Sequence, residues 1–259
     1  MDKLRDLNNY VLEQYRHLPN REELAIPLLI SSDSLYIDNL ERKILYIGQE
    51  TNCWMNYEDP NTIPNIEDIE SQYYQFLKEG ARNKDYWKFI KSILNTNDNN
   101  LINNVIWNNM FVSGKRTSIG HPNNEELEKL SVEYLLEITK MFEPEYTILV
   151  SGPREPYYHM ACRYLKELKS KLIDSYPSKE NPMVYDENII WTYHPNYQNR
   201  IHQKQKIIEK ASKIVNKWWL FYKKIKKTKK SIAKIHKIMY NEIVINWCPI
   251  SSVGRAHGC

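Results

Sequence analysis

Four short segments of this sequence each end in side chains that can donate, accept or carry charge. Gln49, Glu50 and Asn52 follow the run KILYIG (43–48), and Asn108 and Asn109 follow NVIW (104–107). Arg154 follows YTILV (146–150) and Ser151-Gly152-Pro153, and His194 and Asn196 follow NIIWTY (188–193). A carboxylate and an imidazole in one cleft can activate water and stabilise developing negative charge, which points to Glu50 and His194. A side-chain amide offers a donor and an acceptor together, the pattern that reads a nucleobase edge, which points to Asn108. Trp54, Tyr57 and Tyr197 lie close to these positions and can stack on a base or line its pocket.

Such residues meet only if the segments before them are strands of one sheet. All four runs are apolar throughout and alternate with helical periodicities over 2–18, 66–79, 85–94, 125–141, 156–172 and 198–222. Asn123, three residues before Glu126, has the spacing of a helix N-cap with its reciprocal acid. Pro177 and Pro182 mark a loop before the fourth strand. Buried strands alternating with helices predict an α/β fold: three layers, α/β/α, around a four-stranded, mainly parallel sheet. Ligands bind such sheets outside the carboxyl ends of the strands, where the polar residues named above converge.

In their order, ILYIGQETNCW (44–54), VIWNN (105–109), TILVSGP (147–153) and WTYHPNY (191–197) resemble the uracil-DNA glycosylase superfamily, over roughly residues 40–220. The resemblance implies hydrolysis of an N-glycosidic bond in a nucleotide flipped out of DNA. Gly48 and Gln49 would then touch the base through the backbone, with Asn52 and Trp54 beside it. Glu50 would orient water, Asn108 would read the base, and His194 would stabilise charge on the base oxygen. Arg154 and the segment Pro195-Asn196-Tyr197 would contact DNA, the latter as the wedge. Neither a metal nor an organic cofactor is implied. The chain departs from the family at Thr51-Asn52, where the family has Pro-Tyr, and at Asn196, where it has Ser. Tyr197 stands where the best-known members carry a Leu wedge.

Composition narrows the classes further. The chain has 259 residues, 42% of them hydrophobic, which supports a real core and excludes global disorder. A mean hydropathy of −0.65 with no apolar run of spanning length predicts no membrane contact. The acids of MDKLRDLNNY replace the apolar stretch of a secretory leader, so a cytoplasmic protein is expected. A monomer is expected as well. Four scattered cysteines form no CxxC pair and hence no zinc site or disulfide framework. Residues 1–200 hold 22 basic and 30 acidic groups, whereas 201–259 hold 14 and 2. The expected domain therefore covers 1–222, with a basic tail over 223–259. That tail either binds phosphates non-specifically or is a solvated charge run. Its last residues, CPISSVGRAHGC, resemble a translated transfer-RNA gene.

Plainer readings stand beside these. Glu50 could cap the loop after its strand, and His194 could be a loop histidine with satisfied hydrogen bonds. Asn108 and Asn109 lie in an Asn-rich chain, and asparagine is a common turn residue. Arg154 could hold a phosphate or pair with an acid. His121 reads as structural, Cys53 as a small buried filler, and Trp107 and Trp191 as core. Two other functions remain open: a protein that binds a nucleobase without cleaving it, and a hydrolase of free nucleosides.

Overall fold

β-Branched and aromatic residues in runs of four or five build the centre of the molecule. In the computed structural model, the described residues are 2–217 apart from 52, 56, 58, 82 and 83. The chain divides into two compact units, Met1–Ser212 and Lys213–Cys259. The described residues of the second, 213–217, are helical. The basic tail over 223–259 lies outside the described residues.

The first unit holds a five-stranded sheet of β1 (Ile44–Gly48), β2 (Val105–Asn109), β3 (Tyr146–Leu149), β4 (Met183–Asp186) and β5 (Ile189–Thr192), in the order β2-β1-β3-β5-β4. Neighbours among β2, β1, β3 and β5 run parallel, and β4 lies antiparallel to β5 at the edge. The α/β class is thus present, but the sheet is mixed and five-stranded rather than four-stranded. The additional strand was hidden because MVYD is short, follows Pro182, and is half covered: Met183 and Val184 are buried and Tyr185 is exposed. Glu187 and Asn188 turn the chain directly back into β5, and the Thr192 hydroxyl ties the strand end to the Pro182 carbonyl at 2.7 Å.

Helices cover both faces. Tyr46 and Trp107 are register partners and share a face. Against it pack α3 (Ile66–Lys78) and α4 (Asp85–Leu94): the Tyr73 and Phe76 rings stack on Trp107, and Trp87 meets it edge-on at 4.9 Å. Leu45 and Thr147 pair on the opposite face, where α5 (Glu125–Phe142) and α6 (Tyr157–Glu167) join through Thr139 and Tyr164 at 2.6 Å. The cap of α5 is Asn124, whose side chain accepts from Leu127 N–H at 2.9 Å, one residue later than the sequence spacing suggested.

The first helix, α1 (Asp2–Arg16), packs on α5, with the Tyr134 hydroxyl donating to Asn8 at 2.7 Å. Glu70 of α3 is buried and accepts from Asn8, the Ser32 amide and the Ser32 hydroxyl, while Arg5 pairs with it at 3.0 Å. A buried carboxylate held by so many donors is costly to break, about 3–5 kcal/mol if one partner is removed. The short helix α2 (Ser34–Ile37) follows this network, capped by Asp33.

The helix expected over 198–222 is broken. α7 (Pro195–Arg200) ends in a turn where His202 has φ +54 and Gln203 N–H returns to the Gln198 carbonyl at 3.1 Å. α8 then runs over 204–212 in this unit. The break lets Lys204 reach Asp85 of α4 at 3.1 Å while α7 stays at the end of β5.

A candidate active-site cleft at the strand ends

The loops leaving the carboxyl ends of β1, β2, β3 and β5 enclose an open cleft of about 1140 Å³. Of the sequence candidates, Gln49, Glu50, Trp54, Arg154, His194, Asn196 and Tyr197 line it. Gly48, Asn108 and Pro195 are buried and do not, and Asn52 lies outside the described residues.

Glu50 enters the cleft just past β1. The hydroxyl of Tyr157, the first residue of α6, donates a hydrogen bond to Glu50 Oε2. Burial and the adjacent carboxylate push the Tyr157 phenol far above its ordinary range, so it remains a donor at any physiological pH. A carboxylate that accepts this bond is held in place at the cleft wall. The loop behind it is fixed too: Gln49 Nε2 donates to the Ser151 carbonyl at 2.8 Å, joining the ends of β1 and β3.

His194 ends β5 and caps α7, its Nδ1 accepting from Asn196 N–H at 3.3 Å. That bond leaves the ring proton on Nε2. Its imidazole stacks on the Tyr86 ring at 5.8 Å and 22°. Burial lowers its pKa to about 4, only partly opposed by Asp85, so the ring is neutral at pH 7. The cap is braced from below by Gln198, fully buried, whose Nε2 donates to the Tyr193 carbonyl at 2.6 Å. Pro195 occupies the first turn of α7, where its missing N–H leaves no bond unmade. Pro195 is buried in that turn and does not line the cleft.

The amide that faces the cleft is Asn109, not Asn108. The run NVIW places a strand end at Trp107, but β2 continues through Asn109, and adjacent strand residues point to opposite faces. Asn108 is fully buried, its Oδ1 accepting from Asn109 N–H at 2.7 Å. Asn109, with its amide oriented to satisfy both neighbours, donates to the Asn108 carbonyl at 3.0 Å and accepts from Thr51 N–H at 3.2 Å. Gly48 leaves room for it: a Cβ there would overlap the Asn109 amide and lie 2.7 Å from the Tyr86 hydroxyl. The carbonyls of Gly48 and Gln49 accept from Met110 and Phe111 N–H, both at 3.0 Å, so the sheet ladder already uses them.

The floor of the cleft is aromatic. Trp54, Phe76, Trp87 and Trp107 meet at centroid distances of 4.9–5.5 Å, and each lines it. The buried Trp54 Nε1, Thr51 Oγ1 and Ser151 Oγ have no hydrogen-bond partner among the described residues, although all three residues line the cleft. Buried donors and acceptors are rarely left so, and these three lie in the wall of the cleft. Among the described residues, the lining also carries Lys84, Lys115, Arg154 and Arg200 against one acid, Glu50. An acidic body thus concentrates cations at one opening.

Sequence reasoning placed Asn109 at the strand end but gave the base-reading role to Asn108, and it missed Tyr157, the lysines 84 and 115, and Arg200. His121, expected to be structural, packs between Phe111 and Tyr157, with both ring centroids about 6 Å away, and also lines the cleft. One further expectation is corrected. Cys53, expected to be buried, is exposed at φ +56. Only Tyr157 carried a signal, since a Tyr opening a helix just after the third strand end is placed to face the site. Among the described residues, no cluster of side chains is arranged to hold a metal ion, and no helix is long and apolar enough to cross a membrane. No protein-family model matches the chain, and no curated protein matches it.

Proposed function

We propose that the cleft hydrolyses the N-glycosidic bond of a uracil or another damaged base flipped out of DNA. The observation that carries this reading is the pairing of the Glu50 carboxylate, held by Tyr157, with a neutral His194 in one aromatic-floored cleft. The base would lie against the floor of Trp54 and its neighbours, where stacking contributes about 1–3 kcal/mol per base. Lys84, Lys115, Arg154 and Arg200 would hold the flanking phosphates.

As the bond from C1′ to the base nitrogen breaks, its electron pair moves to the base and negative charge gathers on a ring carbonyl oxygen. His194 Nε2–H donates to that oxygen. Positive charge grows on the sugar and faces the Glu50 carboxylate, held by Tyr157. Glu50 orients a water whose oxygen bonds to C1′; its proton passes to the carboxylate and on to solvent, and the departing base is protonated from solvent.

A second reading, a protein that binds the base without cleaving it, draws on the same Tyr157–Glu50 bond, because a carboxylate oxygen already occupied by a phenol has one acceptor site fewer for a water. End-labelled oligonucleotides carrying uracil, hypoxanthine or xanthine, single-stranded and duplex, separate the two. They are incubated with the full chain, a chain cut after Tyr222, and His194→Ala, then treated with alkali. Strand breaks from the first two but not the third support hydrolysis. Tight binding without breaks supports the second reading and overturns the first.

A further inference from the structure

We propose that Ile119 is an apolar wedge that enters the base stack of duplex DNA beside the cleft. The inference rests on the nucleic-acid reading above and relocates the wedge from α7 to the loop between β2 and α5. Ile119 is 87% exposed. Among described large apolar side chains with more than half their surface in water, it alone lines the cleft. An aliphatic side chain so exposed at the mouth of a cationic cleft is placed where stacked bases would cover it.

The loop is built to present that tip. One stem is bound by Ala25 N–H to the Gly114 carbonyl at 2.9 Å, by a bridge between Leu24 and Lys115, and by Arg116 N–H to the Glu23 carbonyl at 2.8 Å. Cys53 N–H adds a bond to the Lys115 carbonyl at 3.1 Å. On the other stem, His121 stacks on Phe111, and Asn124 Nδ2 donates to the Pro19 carbonyl at 2.9 Å. Between these anchors Thr117, Ser118 and Ile119 are exposed. Gly120 turns the chain at φ +98, with nothing within 4 Å of where a Cβ would stand. Lys115 lines the cleft at the base of the loop and supplies charge complementary to a phosphate.

Tyr197, the wedge the family resemblance suggested, is already packed. Its ring is half-buried and 4.6 Å from that of Tyr193, whose hydroxyl contacts the Pro177 carbonyl at 3.3 Å. Inserting it into DNA would break that packing, whereas Ile119 has nothing to give up.

The test is a duplex carrying 2′-fluoro-2′-deoxyuridine, a slowly cleaved analogue, with 2-aminopurine as its neighbour to report unstacking. Full-length protein, Ile119→Ala, Ile119→Leu and Tyr197→Ala are compared, alongside cleavage of ordinary uracil in duplex and single strands. The native chain should raise the fluorescence, and Ile119→Ala should reduce that rise about threefold or more, with Leu restoring it. The duplex-to-single-strand cleavage ratio should fall about tenfold in Ile119→Ala. An unchanged rise and ratio in Ile119→Ala, no rise with the native chain, or a rise abolished only in Tyr197→Ala would overturn the wedge. A rise that depends on Ile119 with no cleavage of any strand upholds the wedge and overturns the hydrolase reading alone.

Discussion

The Tyr157 hydroxyl donates its hydrogen bond to the Glu50 carboxylate, so the first residue of α6 holds the acid that leaves β1. Tyr157→Phe removes that donor and keeps the ring against Phe111 and His121. A hydrogen bond to a charged group contributes about 1.5–3 kcal/mol, so kcat should fall tenfold or more while KM changes little. Steady-state kinetics on a uracil oligonucleotide reads the split. A rise in KM alone would mean that Tyr157 binds substrate instead of positioning Glu50.

His194 should stabilise the leaving base as a neutral donor. Loss of the ring in His194→Ala should slow cleavage about a hundredfold to a thousandfold. Because its pKa is about 4, the ratio of native to variant rates should stay constant from pH 6 to pH 8. A ratio that changes with a midpoint near the ordinary imidazole value would mean the ring is charged at work.

The same shift sets a stability dependence. The unfolded chain takes up a proton on this residue as the pH falls through 6.5, while the native state resists until about 4. Between those values the unfolded state binds more protons, so His194's contribution is full above pH 6.5 and declines as the pH drops to 4. Urea midpoints at pH 7 and pH 5 should therefore differ less in His194→Asn than in the native chain. An equal difference would place the pH sensitivity elsewhere.

Asn108 and Asn109 should separate in their effects. Asn108→Ala strips the buried acceptor from Asn109 N–H and should cost stability, about 1–3 kcal/mol, read from denaturant unfolding. Asn109→Ala opens the cleft and frees Thr51 N–H, and should raise KM and weaken discrimination between uracil and cytosine. Gly48→Ala should reproduce the Asn109 defect, because its methyl overlaps the Asn109 amide. The opposite pattern, with specificity impaired only at Asn108, would mean that β2 presents its other face.

The cationic lining predicts salt-sensitive binding. Removing one cation that neutralises a phosphate reduces the slope of log K against log salt by about 0.7–0.9. Lys115→Ala with Arg154→Ala should therefore flatten the slope by about 1.5, measured with a labelled uracil oligonucleotide. An unchanged slope would assign binding to other cations.

Several features of this protein were legible in its residues alone. Uniformly apolar runs between amphipathic helices determine an α/β sheet buried on both faces, because such runs are stable only when covered. The same runs placed Glu50, Arg154 and His194 at strand ends. Tertiary structure decided what periodicity cannot carry. The edge strand Met183–Asp186 exists because β5 offers it a ladder, not because its four residues demand a strand. Which of two adjacent asparagines faces the cleft depends on where β2 ends, and one residue inverts the answer. Tyr157 reaches Glu50 across 107 residues of sequence, and four cations gather around one cleft in a body whose net charge is negative. Distances of that kind are set by packing, since no local pattern records which distant side chain a carboxylate will meet.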